Sequence, residues 1–364
     1  MSGTQTSTDS QVPDVSIVLV SDYAGGEEKS WHDLRQTLRA LAAQTYGGTY
    51  EVLLVENRAF ADAIPSDLDD CFPGLRVLPV DDNRSYVMKQ QGVLATEAPR
   101  FAFLDADCVP VPGWLAAGMR ALDENAEASL CSGLMSYPNR NLGERILSLT
   151  GRSHVCRRGP GYTEYIANPN VIYRRDAYME YPLREDAGPF GGRLHAHALL
   201  RRGHRFYFEP AMRVTHDFED LAMERDIRRS MGFATVRMRQ LDGKLPFAWF
   251  VRVGVLSVPL FFAARLAQTW GWCLRFGAYH GVRAFEVPLA MLSAVRSHIY
   301  EVPGMLMAFA GADSGEPADS KYRWSRSRDR RWETPRCKAW KTSSRIRHSF
   351  TEAADMSSPC TQRF

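Results

Sequence analysis
The stretch Phe101-Ala102-Phe103-Leu104-Asp105-Ala106-Asp107-Cys108-Val109-Pro110 decides the fold class. Four apolar residues run straight into two carboxylates spaced i, i+2, and Pro110 and Pro112 stop any further ladder. A short apolar run bounded by breakers reads as a buried strand. Asp105 and Asp107 therefore sit where a central strand ends, and in an open α/β sheet that edge is where ligands bind. Two adjacent carboxylates repel, and an unpaired buried charge is costly. A divalent cation removes both penalties, and hard oxygen ligands suit Mg²⁺ or Mn²⁺. The plainer alternative is a pair of solvated loop aspartates.

Upstream of this stretch lie further apolar runs that end in polar residues. Val15-Ser16-Ile17-Val18-Leu19-Val20 is a β-branched run of strand length, followed by a polar loop from Ser21 to Ser30. From Trp31 to Gln44, Leu34, Leu38, Leu41 and Ala42 fall on one helical face, and Gly47-Gly48 ends the helix. Residues 51–57 (EVLLVEN) and 75–80 (LRVLPV) are two more strands, and Ser85 to Thr96 is a helix. This order implies a largely parallel α/β sheet with its ligand loops at one edge. Each strand ends in polar residues: Ser21 and Asp22, Glu56 and Asn57, Asp81 to Arg84, then Asp105 and Asp107. Polar strand ends are ordinary one at a time. Four sets converging on one edge make a cleft suited to a metal and to the hydrogen-bonding edges of a base and ribose. Neither GxGxxG nor GxxxxGK[ST] is present, which argues against a dinucleotide or P-loop site.

Composition sets wider bounds. The 364 residues are 45% hydrophobic and 24% charged, an ordinary globular balance with a net charge of +3. The N-terminal MSGTQTSTDSQ is polar and has no apolar core of a secretory signal. Seven cysteines are scattered with no CxxC, which points to reduced thiols in a cytosolic setting and away from a disulfide framework or zinc site. No internal repeat is present.

The pattern resembles glycosyltransferase family 2, of the GT-A fold: a Rossmann-like, mostly parallel sheet flanked by helices. The matching pieces are SIVLV, DLRQTLRALAAQTY, EVLLVEN, DDNRSYVMKQQG, FAFLDADCVPVPGWL, NPNVIYRRDAY and RRGHRFYFEPAMRVTH, covering roughly residues 14–240 in the family's order. The resemblance implies that Glu56 holds the nucleotide base, with Asn57 and Asn83 beside it. Lys89 stands in the family's basic [KR]-N-x-G segment, where Gln90 replaces the usual Asn. Asp105 and Asp107 match the Asp-x-Asp motif for metal and diphosphate, and Trp114 the aromatic that follows it. Asn170, Arg174 and Arg175 match a strand and turn near the acceptor. His216 closes a strand, turn and short strand, where relatives complete the metal site with histidine, although a lone histidine is also an ordinary structural residue. The implied reaction is metal-dependent, inverting transfer of a sugar from a nucleotide donor to a hydroxyl, with Mn²⁺ or Mg²⁺ as cofactor.

The general base is where this chain departs from the pattern. The family carries Glu-Asp about a dozen residues before a Gly that follows a helix, here Gly203. Counting back reaches Phe190-Gly191-Gly192-Arg193, without a carboxylate, and Glu185-Asp186 lies several residues earlier. Either a lengthened loop still delivers Asp186, or His195 or His197 substitutes, or the usual base is missing. In the last case the chain is a degenerate sugar-nucleotide-binding scaffold. A nucleotidyltransferase is the weaker rival, because the loop after the first strand has Gly25-Gly26 but only Lys29 as a basic residue.

From Leu245 the composition changes. The run Val253–Ala264 holds 12 uninterrupted apolar residues, short of the roughly 20 that span a bilayer, and Arg252 and Arg265 bracket it. A second apolar stretch, Phe285 to Ala312, contains Arg296, His298 and Glu301. These read as interfacial or re-entrant helices at the inner face of the plasma membrane, as would suit envelope glycan or glycolipid synthesis. A tilted span over 251–274 and a buried helical subdomain are the alternatives. Residues 313–364 are a polar, basic tail that reads as disordered, with no nucleic-acid partner expected. The expected organisation is a disordered 1–13, a GT-A domain over 14–240, a membrane-proximal region over 241–312 and the tail. The acceptor is left open among a glycan, a lipid-linked and a small-molecule hydroxyl.

Overall fold
The computed structural model describes residues 12–21, 31–61, 63–82, 84–184, 192–216 and 221–312. The first half runs β1 (Val15–Val20), α1 (His32–Ala42), β2 (Tyr50–Asn57), α2 (Arg58–Ala61), α3 (Leu68–Cys71), β3 (Arg76–Val80), α4 (Ser85–Leu94) and β4 (Arg100–Asp105). These four strands lie parallel in the order β3-β2-β1-β4, as the apolar runs predict. β1, β4 and most of β2 are buried on both faces and read as continuous hydrophobic runs, whereas β3 is the partly exposed edge strand. Ile17 and Leu19 face one core layer with Leu34, Leu38 and Leu41 of α1, and Val18 and Val20 face the other with Met88 and Val93 of α4. Gly92 lets α4 close on the sheet: a Cβ there would fall 2.3 Å from Val18 Cγ1.

The second half adds β5 (Cys108–Pro110), α5 (Trp114–Glu124), β6 (Ala128–Ser136), α6 (Leu142–Arg152), β7 (Gly161–Thr163), β8 (Asn170–Arg174), α7 (Arg175–Met179), α8 (Gly192–Arg201) and β9 (Arg205–His216). Here the sheet turns mixed. β8 runs antiparallel to β4 and β6, β6 parallel to β9, and β5 and β7 antiparallel to β9, completing nine strands. The strand, turn and short strand expected before His216 is one twelve-residue strand with an irregularity. Glu209 pairs with Gly133 and Arg213 with Leu134, so Pro210, Ala211 and Met212 bulge between them. A Cβ on Gly133 would sit 1.8 Å from Met212 O, which is why glycine faces the bulge.

The C-terminal part comprises α9 (Leu221–Leu241), a 3₁₀ segment (Ala248–Ser257), α10 (Val258–Phe276) and α11 (Val287–Phe309). α9 packs backbone to backbone on α11. A Cβ at Gly232 would meet Glu301 O at 1.9 Å, and one at Gly304 would meet Arg229 O at 1.8 Å.

Candidate active site
Register brings the polar strand ends to one edge. Val20 pairs with Val55 and with Asp105, and Asn57 pairs with Val80, so β1 to β4 all finish there. After Asp105 the chain makes a tight turn, held by Ala106 N donating to Val20 O (2.9 Å) and by Thr37 Oγ1 donating to Ala106 O (2.8 Å). β5 then pairs with the end of β9, Cys108 opposite His216, which delivers His216 to the same edge.

The two aspartates have different partners. Asp105 Oδ1 lies 2.7 Å from Lys89 Nζ, a buried ion pair, and the ammonium also faces the rings of Tyr86 (5.9 Å) and Phe103 (6.0 Å). Asp107 Oδ2 lies 3.3 Å from His216 Nε2, also buried. Asp107, Cys108 and His216 each offer one ligand atom, all within 4.8 Å of one another; Asp105 stands outside that group. Burial, with Asp107 and Asp105 nearby, pushes the Cys108 thiol far above its usual range. The donor set is therefore a carboxylate and an imidazole beside a protonated thiol. Oxygen with one imidazole nitrogen fits Mn²⁺-type ions.

The other predicted residues sort as follows. Glu56 and Asn57 are buried at the end of β2, with Glu56 Oε1 accepting from Asn57 N (2.6 Å) and Asn57 Oδ1 accepting from Ala59 N (2.9 Å). Asp81 and Asp82 are paired to Arg58 and Arg84 at 2.7 Å each, on the exposed rim. Asp22, Asn83, Glu185 and Asp186 lie outside the described residues. Trp114 is fully buried, and its Nε1 donates to Asn170 Oδ1 (2.7 Å). Asn170 Nδ2 donates in turn to Leu134 O (2.9 Å) and Met212 O (3.0 Å), so this pair pins the β9 bulge.

Three expectations change. Arg174 pairs with Arg100, the first residue of β4, so Arg174 and Arg175 sit at the opposite end of that strand from Asp105. They hold backbone there: Arg174 donates to Ala128 O and Leu122 O, and Arg175 to Ala98 O and Val93 O. His195 is buried against the rings of Tyr173 (5.7 Å) and Tyr178 (5.5 Å), and burial pulls its imidazole down to about 4. His197 lies 3.5 Å from Asp242, which Arg201 also pairs at 2.6 Å. Both histidines therefore work inside the scaffold. Gly203 closes α8 with φ +90°, the conformation that favours glycine.

One anchor that no sequence pattern marks lies at Gly192, the first described residue after Glu185 and Asp186. Gly192 N donates to Tyr86 Oη (2.7 Å), and Asn168 Nδ2 donates to the same oxygen (2.6 Å). Tyr86 is buried beside Lys89, and burial raises its phenol to about 12. Gly192 is thus held next to the Lys89–Asp105 pair.

Residues 27–182 match the family described as Glycosyl transferase family 2. That segment, somewhat under half of the chain, is similar to family 2 glycosyltransferase domains. The family 2 match ends three residues before Glu185. Glycosyltransferase AglE of Haloferax volcanii is 28% identical over 192 residues, which cover 51% of this chain and 58% of that protein. The match thus spans somewhat over half the length of this curated relative. Among solved structures, the mannosyltransferase PcManGT from Pyrobaculum calidifontis, in complex with GDP-Man and Mn²⁺, aligns with a TM-score of 0.54 at 13% identity. That alignment covers 82% of this chain and 88% of the other, and the shared fold is GT-A. A crystal structure of GalNAc-T7 with UDP, GalNAc and Mn²⁺ aligns with a TM-score of 0.43 at 14% identity, over 58% of this chain and 45% of that chain.

Proposed function
We propose that this chain moves a sugar from a nucleotide-sugar donor to an acceptor hydroxyl with inversion at the anomeric carbon, using Mn²⁺ or Mg²⁺ held by Asp107 and His216. The observation that carries the reading is the buried Asp107–His216 pair at the strand ends, beside a second buried pair, Lys89–Asp105. A divalent ion bound there supplies positive charge to the leaving diphosphate. Lys89 and Asp105 line the same edge and position the donor, and Glu56, Asn57 and Asn83 serve its nucleoside. Asp186 accepts the proton of the attacking hydroxyl as general base, with Glu185 beside it. The anchoring of Gly192 on Tyr86, next to Lys89, supports that assignment. Residues 14–240 are assigned to this catalytic unit.

The experiment is nucleoside diphosphate release from a panel of nucleotide sugars, with and without Mn²⁺. The expected result is release from one donor, lost without metal. Asp186→Asn should lower it by about a hundredfold or more with donor binding retained, the scale of a positioned acid–base group. Metal-dependent nucleotide binding without release from any donor would overturn transfer in favour of the scaffold reading.

The region 241–312 supports a membrane-bound setting for this reaction. Ala248–His280 is, among the described residues, the one stretch long and apolar enough to cross a membrane by length and composition. The outward stripe of α10 is Leu260, Ala263, Ala267, Trp270 and Leu274, and that of α11 is Leu289, Leu292, Ile299 and Leu306 with Arg296. Leu256, Leu274, Phe285 and Leu292 are 66–76% exposed, the reverse of a helix packed in a soluble core. Between 245 and 312 the acidic residues, Glu286 and Glu301, are both buried, whereas Arg252, Arg275, Arg283 and Arg296 are exposed. An apolar face fringed only by cations fits an anionic lipid surface. We assign it to the inner leaflet of the plasma membrane and the acceptor to an envelope glycan or glycolipid. Binding to vesicles containing anionic lipid should fall about tenfold or more in Leu256→Glu/Leu274→Glu, from lost apolar burial. Unchanged vesicle binding would contradict this face.

A further inference from the structure
A line of buried polar contacts leads from His216 to the C-terminal helices. The ring of Tyr137 stands edge-on to the His216 imidazole, at 5.7 Å and 81°. Tyr137 is held on several sides. Its backbone N donates to Ser148 Oγ (3.1 Å), the Arg152 guanidinium lies 4.7 Å from its ring centroid, and Arg152 Nη2 donates to its hydroxyl (3.0 Å). Its hydroxyl donates to Glu224 Oε2 (3.4 Å). Glu224 Oε1 accepts from Arg228 Nε (2.6 Å), and Arg228 Nη1 lies 3.5 Å from Glu301 Oε1 on α11. Tyr137, Glu224, Arg228 and Glu301 are all buried.

Net stability is a poor reason for such a line. Taking ions out of water costs about what their attraction returns, and apolar residues of the same volume would pack as well. What buried charges do supply is registry, because each geometry has one satisfied arrangement. Here the registered object is Tyr137, whose ring packs edge-on against the imidazole. The remote end is closely packed, because Gly232 and Gly304 bring the α9 and α11 backbones into contact. We propose that Tyr137 and Glu224 are positioning residues for His216, through which the α9–α11 pair sets the orientation of that imidazole. This rests on the reading of His216 as a metal ligand.

The test is Mn²⁺ affinity of the full chain without donor, from the electron paramagnetic resonance signal of free Mn²⁺. Tyr137→Phe keeps the ring and removes only the hydroxyl link. It and Glu224→Gln should each weaken Mn²⁺ binding about tenfold, the scale of groups that orient a ligand. The double variant should be no weaker than either single, because both changes cut the same link. Affinity within twofold of wild type in Tyr137→Phe would overturn the proposal, as would additive losses in the double variant. Tyr137→Phe decides alone if Glu224→Gln fails to fold. A wild-type chain that binds no Mn²⁺ would instead overturn the metal reading itself, and this inference with it.

Discussion

Asp107→Asn is expected to lower donor-dependent release of nucleoside diphosphate by a hundred- to a thousandfold, the scale on which single electrostatic stabilisers of a transition state act. The substitution is nearly isosteric, so the tight turn, with its Ala106 N to Val20 O and Thr37 to Ala106 O contacts, has no cause to change. What changes is charge. Lys89 already neutralises Asp105 at 2.7 Å, so Asp107 is the carboxylate the site offers next to His216. An amide there leaves the imidazole as the main ligand, and the affinity for a hard cation collapses. Mn²⁺ titration should show binding lost in parallel with turnover, with the circular dichroism spectrum unchanged. A variant that retains turnover within tenfold of wild type would mean that the leaving diphosphate is stabilised elsewhere.

Lys89→Met should act on folding. Lys89 is 2% exposed and Asp105 7% exposed, so removing the ammonium leaves a buried carboxylate without its cation. Breaking one side of a buried pair costs about 3–5 kcal/mol. That approaches the whole net stability of a small domain, roughly 5–15 kcal/mol. Chemical denaturation should show this loss, and Lys89→Met/Asp105→Leu should recover most of it, because the second change removes the stranded charge. A loss below about 1 kcal/mol in Lys89→Met would mean that Asp105 is compensated by other groups.

The first half of the fold was legible because β1, β2 and β4, buried over most of their length, write themselves as unbroken apolar runs, and even the exposed edge strand β3 keeps a short apolar run. β1, β2, β3 and β4 all fall within a residue of the expected bounds, since Pro, Gly and clustered polar residues mark each end. The mixed half was less legible. β9 is expected as two strands because Pro210 suggests a turn, but Gly133 across the ladder admits the bulge, and no local pattern reveals a register partner 76 residues away. Asp107 and His216 were readable as a possible pair from a resemblance between motifs. Their approach depends on β5 pairing with β9, a long-range contact.

Long-range placement also explains the rest. Arg174 and Arg175 look like ligand groups in sequence, yet the antiparallel direction of β8 carries them to the far edge. His195 looks titratable, yet α8 turns it toward Tyr173 and Tyr178. The link through Tyr137 left one local trace, the i, i+4 spacing of Glu224 and Arg228 on α9. Such a spacing normally marks a solvated helix face, and only the packing of α9 on α11 makes it a buried pair.

The central claim is that a divalent ion sits between Asp107 and His216, where it meets the diphosphate of a bound donor. Anomalous diffraction from crystals grown with Mn²⁺ and a nucleoside diphosphate tests it most directly. The account predicts an anomalous peak within about 2.0–2.3 Å of an Asp107 carboxylate oxygen and His216 Nε2, with the diphosphate oxygens completing its shell. Mn²⁺ bound elsewhere, with the nucleotide present and Asp107 and His216 still facing each other, would contradict it.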